Sequence, residues 1–131
     1  RRKLIDNTAV NPLTAIMRVQ NGSLIEDARA WKLTDGVIDE AFCVSKALKI
    51  KLGINDPERM VKNVVEETRE NYSSMLQDTL RGVPTEIDAI NGEIIRLGEI
   101  HDVDVSLNKI AYKLITEGKR ISSIDIFDMV R

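Results

Sequence analysis

Cysteine and histidine are almost missing from this chain. Among 131 residues there is one of each, Cys43 and His101. A lone cysteine cannot close an internal disulfide, and one of each cannot build a Cys/His zinc site, so no metal is expected. Aromatics are scarce: Trp31, Phe42, Tyr72, Tyr112 and Phe127 are too few for a base-stacking platform. The seven glycines (22, 36, 53, 82, 92, 98, 118) include no pair at the spacing of G-x-G-x-x-G or G-x-x-x-x-G-K. The sequence therefore carries no loop of the phosphate-cradling type. No apolar run approaches the roughly 18 residues of a membrane-spanning helix, and Arg1-Arg2-Lys3 lacks the unbroken apolar core of a signal peptide behind it. Neither charge sign dominates. Lys and Arg total 19, Asp and Glu 21, for a net charge of −2, and they are interspersed, which argues against a nucleic-acid partner. A reducing cytoplasm is the compartment these features fit.

What is present is a helical pattern. Hydrophobic residues make up 43% and charged residues 31%, a soluble balance at the size of one domain. Strict apolar/polar alternation is absent, except arguably near residues 121–127. Residues 1–19 read as a helix with a kink at Asn11-Pro12. Residues 27–51 form a long amphipathic helix stopped by Gly53. Asp56-Pro57-Glu58 starts another, running to about residue 70. Ser73-Ser74 cap a short helix, Thr85 caps one over 86–101, and Ser106 caps one over 107–117 that Gly118 stops. The tail 119–131 is ambiguous. The expected fold is all-α, with about six helices and short connections.

The first helix holds the most information. At about 100° per residue, Lys3, Asn7 and Asn11 fall on one narrow stripe, with Thr14 near it. Most of the remaining wheel is apolar: Leu4, Ile5, Ala9, Val10, Leu13, Ala15, Ile16 and Met17. A helix apolar nearly all round is a buried one. An ammonium and two amides along its one polar stripe need partners or a wet cleft. The plainer reading, a solvated stripe with asparagines in turns, fits the stripe taken alone.

A second constellation is Ser73-Ser74-Met75-Leu76-Gln77-Asp78, followed by Pro84-Thr85-Glu86-Ile87-Asp88 and Asn91-Gly92. Ser74 stands at a helix start, where backbone N–H groups suit a carboxylate ligand. Glu86 stands in the first turn of the next helix. Each residue has a plain structural role, capping for Ser74 and dipole stabilisation under about 1 kcal/mol for Glu86. His101 closes a helix. Cys43 reads as a small buried hydrophobe, and Trp31 and the methionines as core.

Taken together, Lys3-Leu4-Ile5-Asp6-Asn7, Asn11-Pro12-Leu13-Thr14-Ala15-Ile16, Asn21-Gly22 and the Ser73-to-Gly92 run resemble the C-terminal domain of the ketopantoate reductase (2-dehydropantoate 2-reductase) family over about the first 117 residues. The resemblance implies a helical domain like the 6-phosphogluconate dehydrogenase C-terminal domain. Residues 1–131 would be a single substrate-binding and catalytic unit. Its N-terminal Rossmann partner, which binds NADPH, is absent from this chain. It further implies reduction of ketopantoate to pantoate on the way to pantothenate and coenzyme A. Lys3 aligns with the family's catalytic lysine and Glu86 with the glutamate that supports it. Asn7, Asn11, Asn21 and Ser74 match positions lining the substrate cleft. Those residue types suit the chemistry: a positioned ammonium stabilises and protonates the oxyanion formed by hydride addition to a 2-keto acid.

Three departures stand out. Val83 replaces a basic residue common in relatives, Asp102 and Ser106 replace a glycine and a proline, and the cofactor domain is missing. The chain alone is therefore expected to be inactive, to bind NADPH weakly or not at all, and to expose an apolar patch compatible with a homodimer. Two alternatives remain: a paralogous reductase acting on another 2-keto acid or ketone, and a non-enzymatic helical module for dimerisation or ligand binding.

Overall fold

The computed structural model describes the backbone of residues 2–130 and the side chains of residues 7–130. Helix α1 spans Arg2–Met17, α2 Ser23–Glu26, α3 Ala28–Ala47, α4 Pro57–Glu67 and α5 Ser74–Arg81. A π-helical turn, Asp88–Gly92, leads into α6, Glu93–Ile100. Helix α7 spans Ser106–Glu117 and α8 Ser123–Met129. No strand occurs among the described residues, so the alternation near residues 121–127 and the ambiguous tail resolve into a helix.

Helix α1 is the axis of the domain, packed against α3, α5 and α7. Every residue from 8 to 17 is buried, as the apolar wheel requires. The helix runs unbroken through Pro12. Its end is turned by Arg18 at φ 58°, a conformation costing an L residue roughly 1–2 kcal/mol. The Arg18 guanidinium donates to the Ala15 carbonyl, covering an acceptor that the helix end leaves open.

Several boundaries move for identifiable reasons. Helix α3 stops at Ala47, and Lys49 at φ 58° takes the left-handed turn, so Gly53 lies in the following loop and is not the stop. Asp27 caps α3 by accepting from Arg29 and Ala30 N–H, and the Ser123 hydroxyl also donates to it. The Ser123 bond holds the Asp27 carboxyl below its ordinary range. Asp56 caps α4 with Pro57 behind it, as read from the sequence. Ser106 does not cap α7: the cap position is Val105, which offers no side-chain acceptor, and Asp104 Oδ1 just before it accepts the Ser106 N–H and hydroxyl. The cap of α5 is Ser73, which leaves Ser74 as the first helical residue. Cys43 is exposed, contrary to the expectation of burial. Met129 is exposed as well, so the methionines are not uniformly core.

Two family departures have structural explanations. Asp102 sits at φ 57°, a position glycine favours and aspartate tolerates. Ser106 opens α7, where proline is equally at home.

The α3–α4 joint carries a like-charge cluster. Asp35 Oδ1 is buried without a hydrogen-bond partner, and Glu58 opposite it accepts from Trp31 Nε1 at 3.3 Å. Burial, then the nearby Asp39, Glu58 and Asp56 carboxylates, push Asp35 up to about 6 from its ordinary 3.8. A raised carboxyl pKa makes the folded state bind the proton more tightly. Its stabilising contribution is complete below the ordinary value and disappears as pH rises through about 6. Asp35→Asn should therefore stabilise the domain near neutral pH by about 1 kcal/mol, after discounting for solvent screening. It should change little in acid, where the parent carboxyl is already neutral. Calorimetric melting on both sides of the transition checks this; a lower melting temperature for the variant at neutral pH contradicts it.

Candidate functional site

The polar stripe of α1 enters the described region at Asn7, which is half-buried, and continues through Asn11, 9% exposed, to Ala15, fully buried. Lys3 belongs to the first turn of this helix by its backbone; its side chain lies outside the described residues. Spacing of four residues sets Lys3, Asn7, Asn11 and Ala15 one above another.

At Ala15 the stripe runs into the second constellation. Ala15 packs with Met75 and Leu76 of α5 and with Ile87 and Ile90 of the following segment. Thr14 Oγ1 and Ser73 Oγ are 2.7 Å apart in a buried hydrogen bond. Ser73 Oγ also accepts the Leu76 N–H at 3.1 Å, so one hydroxyl caps α5 and ties it to α1. Asn91 Nδ2 donates to the Thr8 carbonyl at 2.8 Å, tying the π turn to the same helix. Ser74 and Glu86 flank this junction: each is the chain neighbour of an anchored residue, Ser73 or Ile87, and each is exposed. Thr85 Oγ1 accepts the Ile87 N–H at 3.3 Å, but the helix expected over 86–101 opens instead as the π turn, whose cap position is Ile87 and has no side-chain cap bond.

Asn21 is placed differently. It lies past the C-terminal end of α1, where its N–H bonds the Asn71 carbonyl at 3.0 Å and its Nδ2 bonds Thr68 Oγ1 at 3.0 Å. Its Oδ1 is buried without a partner. Asn21 thus borders the loop that leads to Ser73 and Ser74, while Asn7 and Asn11 lie further back along α1.

The structure adds residues that the sequence reading passed over. Glu40 on α3 receives the Leu107 N–H at 2.9 Å, the Asn108 N–H at 3.0 Å and Asn108 Nδ2 at 2.8 Å. Burial raises its carboxyl above the ordinary value despite these donors. Asn108 Oδ1 in turn accepts from Asn91 Nδ2 at 2.8 Å. A proline inside a helix is the one sequence signal that points here, since it removes the donor to the carbonyl four residues earlier. The partner for that carbonyl could not be named from the sequence.

Among the described residues no group of three or more His, Cys, Asp or Glu could hold a metal ion. The glycines at positive φ, Gly53, Gly82 and Gly118, sit in a loop or at helix ends, not in a strand–loop–helix phosphate cradle. No described helix is long and apolar enough to cross a membrane.

Against known proteins, the family model described as ketopantoate reductase PanE/ApbA, C terminal, matches residues 1–119. A 2-dehydropantoate 2-reductase of Archaeoglobus fulgidus is 38% identical over 113 residues, covering 86% of this chain and 37% of the relative. The crystal structure of a PanE/ApbA family ketopantoate reductase from Ralstonia eutropha superposes with TM-score 0.83 at 30% identity, covering 98% of this chain and 40% of that one. A D-mandelate dehydrogenase in ternary complex with NADH and anilino(oxo)acetate superposes with TM-score 0.82 at 26% identity, covering 95% and 51%. This chain thus spans about two fifths of the length of the reductases it matches.

Proposed function

Because the chain belongs to the ketopantoate reductase C-terminal family, we propose that it is the substrate-binding and catalytic helical part of an NADPH-dependent 2-dehydropantoate 2-reductase. The observation that carries the reading is the junction on α1. A helix with a Lys3–Asn7–Asn11 stripe meets, at Thr14 and Ala15, the two segments that bear Ser74 and Glu86. The whole protein would then act in pantothenate and coenzyme A synthesis in the cytoplasm, and as a homodimer if the apolar surface of this part self-associates.

The nicotinamide cofactor, when bound, supplies a hydride to the keto carbon. Its phosphates are assigned to a dinucleotide-binding domain outside this chain. This chain's residues do the rest. Asn7, Asn11, Asn21 and Ser74 hydrogen-bond the substrate's carboxylate, keto and hydroxyl oxygens without adding net charge. Lys3 is assigned the role of stabilising the oxygen where negative charge develops and of giving it a proton. Glu86 keeps that lysine protonated, as a nearby carboxylate does.

A second reading, reduction of a different 2-keto acid, draws on the fold shared with D-mandelate dehydrogenase. Steady-state assay of the whole protein decides. Ketopantoate should be reduced by NADPH in the whole protein and not by the 131-residue chain alone. Absence of turnover by the whole protein overturns the reading.

A further inference from the structure

We propose that Asn91 is a positioning residue for this reaction: it replaces the backbone donor that Pro12 lacks and so sets where α1 presents Asn7, Asn11 and Lys3. The proposal rests on the reductase reading above. In an uninterrupted helix the N–H of residue 12 would bond the Thr8 carbonyl. Proline has no N–H, and Thr8 is wholly buried, so the missing helix bond cannot be replaced cheaply by water. Asn91 Nδ2, itself wholly buried, makes that bond from another segment at 2.8 Å. A defect internal to α1 has become its attachment point.

The orientation of the Asn91 amide is determined from a distance. A carboxylate can only accept, so Glu40 turns the NH2 of Asn108 toward itself. The Asn108 carbonyl oxygen therefore faces Asn91 and demands an N–H there. Both Asn91 N–H groups are then committed, one to Asn108 and one to Thr8. Flipping any amide would set acceptor against acceptor or donor against donor. The relay starts at Glu40, passes through a π turn that Glu86 precedes by two residues, and ends at Thr8, the neighbour of Asn7. The Asn91 amide thus joins the two halves of the proposed site at Thr8, as the Thr14–Ser73 bond does further along α1. A π turn is itself a device often found at functional positions.

A purely structural role makes a different forecast, and Pro12→Ala separates the two. Alanine at 12 restores the N–H to the Thr8 carbonyl, so the carbonyl no longer needs Asn91. In the whole reductase, Asn91→Ala should lower the melting temperature, and in the Pro12→Ala background the same change should cost less than half as much. Catalysis should not recover with stability. For Asn91→Ala, and equally for the double variant, kcat/KM for ketopantoate should fall about tenfold or more, with KM raised as well as kcat lowered. Loss of folded enzyme alone would leave KM unchanged. Amide hydrogen exchange over residues 7–11 of α1 reads the docking without substrate and should stay accelerated in the double variant.

Recovery of kcat/KM and exchange together with melting temperature in the double variant would overturn the proposal, as would strictly additive melting losses. A wild-type protein that does not reduce ketopantoate overturns the reductase reading only; the exchange result then decides the docking of α1.

Discussion

If the whole protein is the proposed reductase, replacing Lys3 by alanine in it should lower kcat by about 10²–10⁴, the range for a positioned general acid, while NADPH binding stays near the parent value. The keto oxygen gains a full negative charge as the carbon is reduced. A neighbouring ammonium stabilises that charge and removes it by proton transfer, so its contribution is made in the transition state and falls on kcat. The cofactor's phosphates are assigned outside this chain, which is why cofactor affinity should not follow. Glu86→Gln keeps the size of the side chain and removes its charge. It should reduce turnover in the same direction, because in the proposed site protonated Lys3 loses its supporting carboxylate. Steady-state kinetics and a cofactor titration on the two variants check both parts. Near-normal kcat for Lys3→Ala contradicts the assignment.

Asn7→Ala and Ser74→Ala should act on KM. In the proposed site each removes a hydrogen bond to substrate, with a loss of about 1–3 kcal/mol if a buried substrate group is left unpaired. The structure supplies a control next door. The Ser73 hydroxyl is already occupied by the Leu76 N–H and by Thr14 Oγ1, whereas Ser74 is exposed. Ser73→Ala should therefore cost about 1 kcal/mol of stability as a lost cap and leave KM alone, while Ser74→Ala should do the reverse. Kinetics and melting on the two serine variants separate the roles. Equal KM effects would show that the hydroxyl at 74 has no privileged access to substrate.

Much of the architecture was legible because it is written in local chemistry. The apolar breadth of α1 announced its burial, Asp56-Pro57 the start of α4, and Gly118, at φ 69°, the end of α7. The order and spacing of Lys3, Asn7, Asn11, Ser74 and Glu86 carried the family resemblance. What stayed hidden depends on contacts between distant segments. The π turn keeps Ile87, Ile90 and Ile94 at ordinary helical spacing, so the apolar pattern is silent about it. Lys49 adopts a left-handed turn without being glycine, which no composition rule marks. Cys43 looks apolar in sequence and yet falls on the solvent side of α3. Asn91 had been visible only as part of an Asn-Gly pair; its partners lie 83 and 17 residues away in the chain. Pro12 was readable as a helix disturbance, but the amide that absorbs it was not.

The central claim is that this helical domain recognises ketopantoate in a reductase, and one comparison tests it most directly. The whole protein is assayed with NADPH and either ketopantoate or a smaller 2-keto acid, and kcat/KM is compared. Ketopantoate should be preferred, because its distal hydroxyl and gem-dimethyl groups add binding energy in the family's cleft; a buried methyl-sized group alone is worth about 1–3 kcal/mol. Equal efficiency on the smaller acid would contradict the account and assign the domain to a reductase of another 2-keto acid.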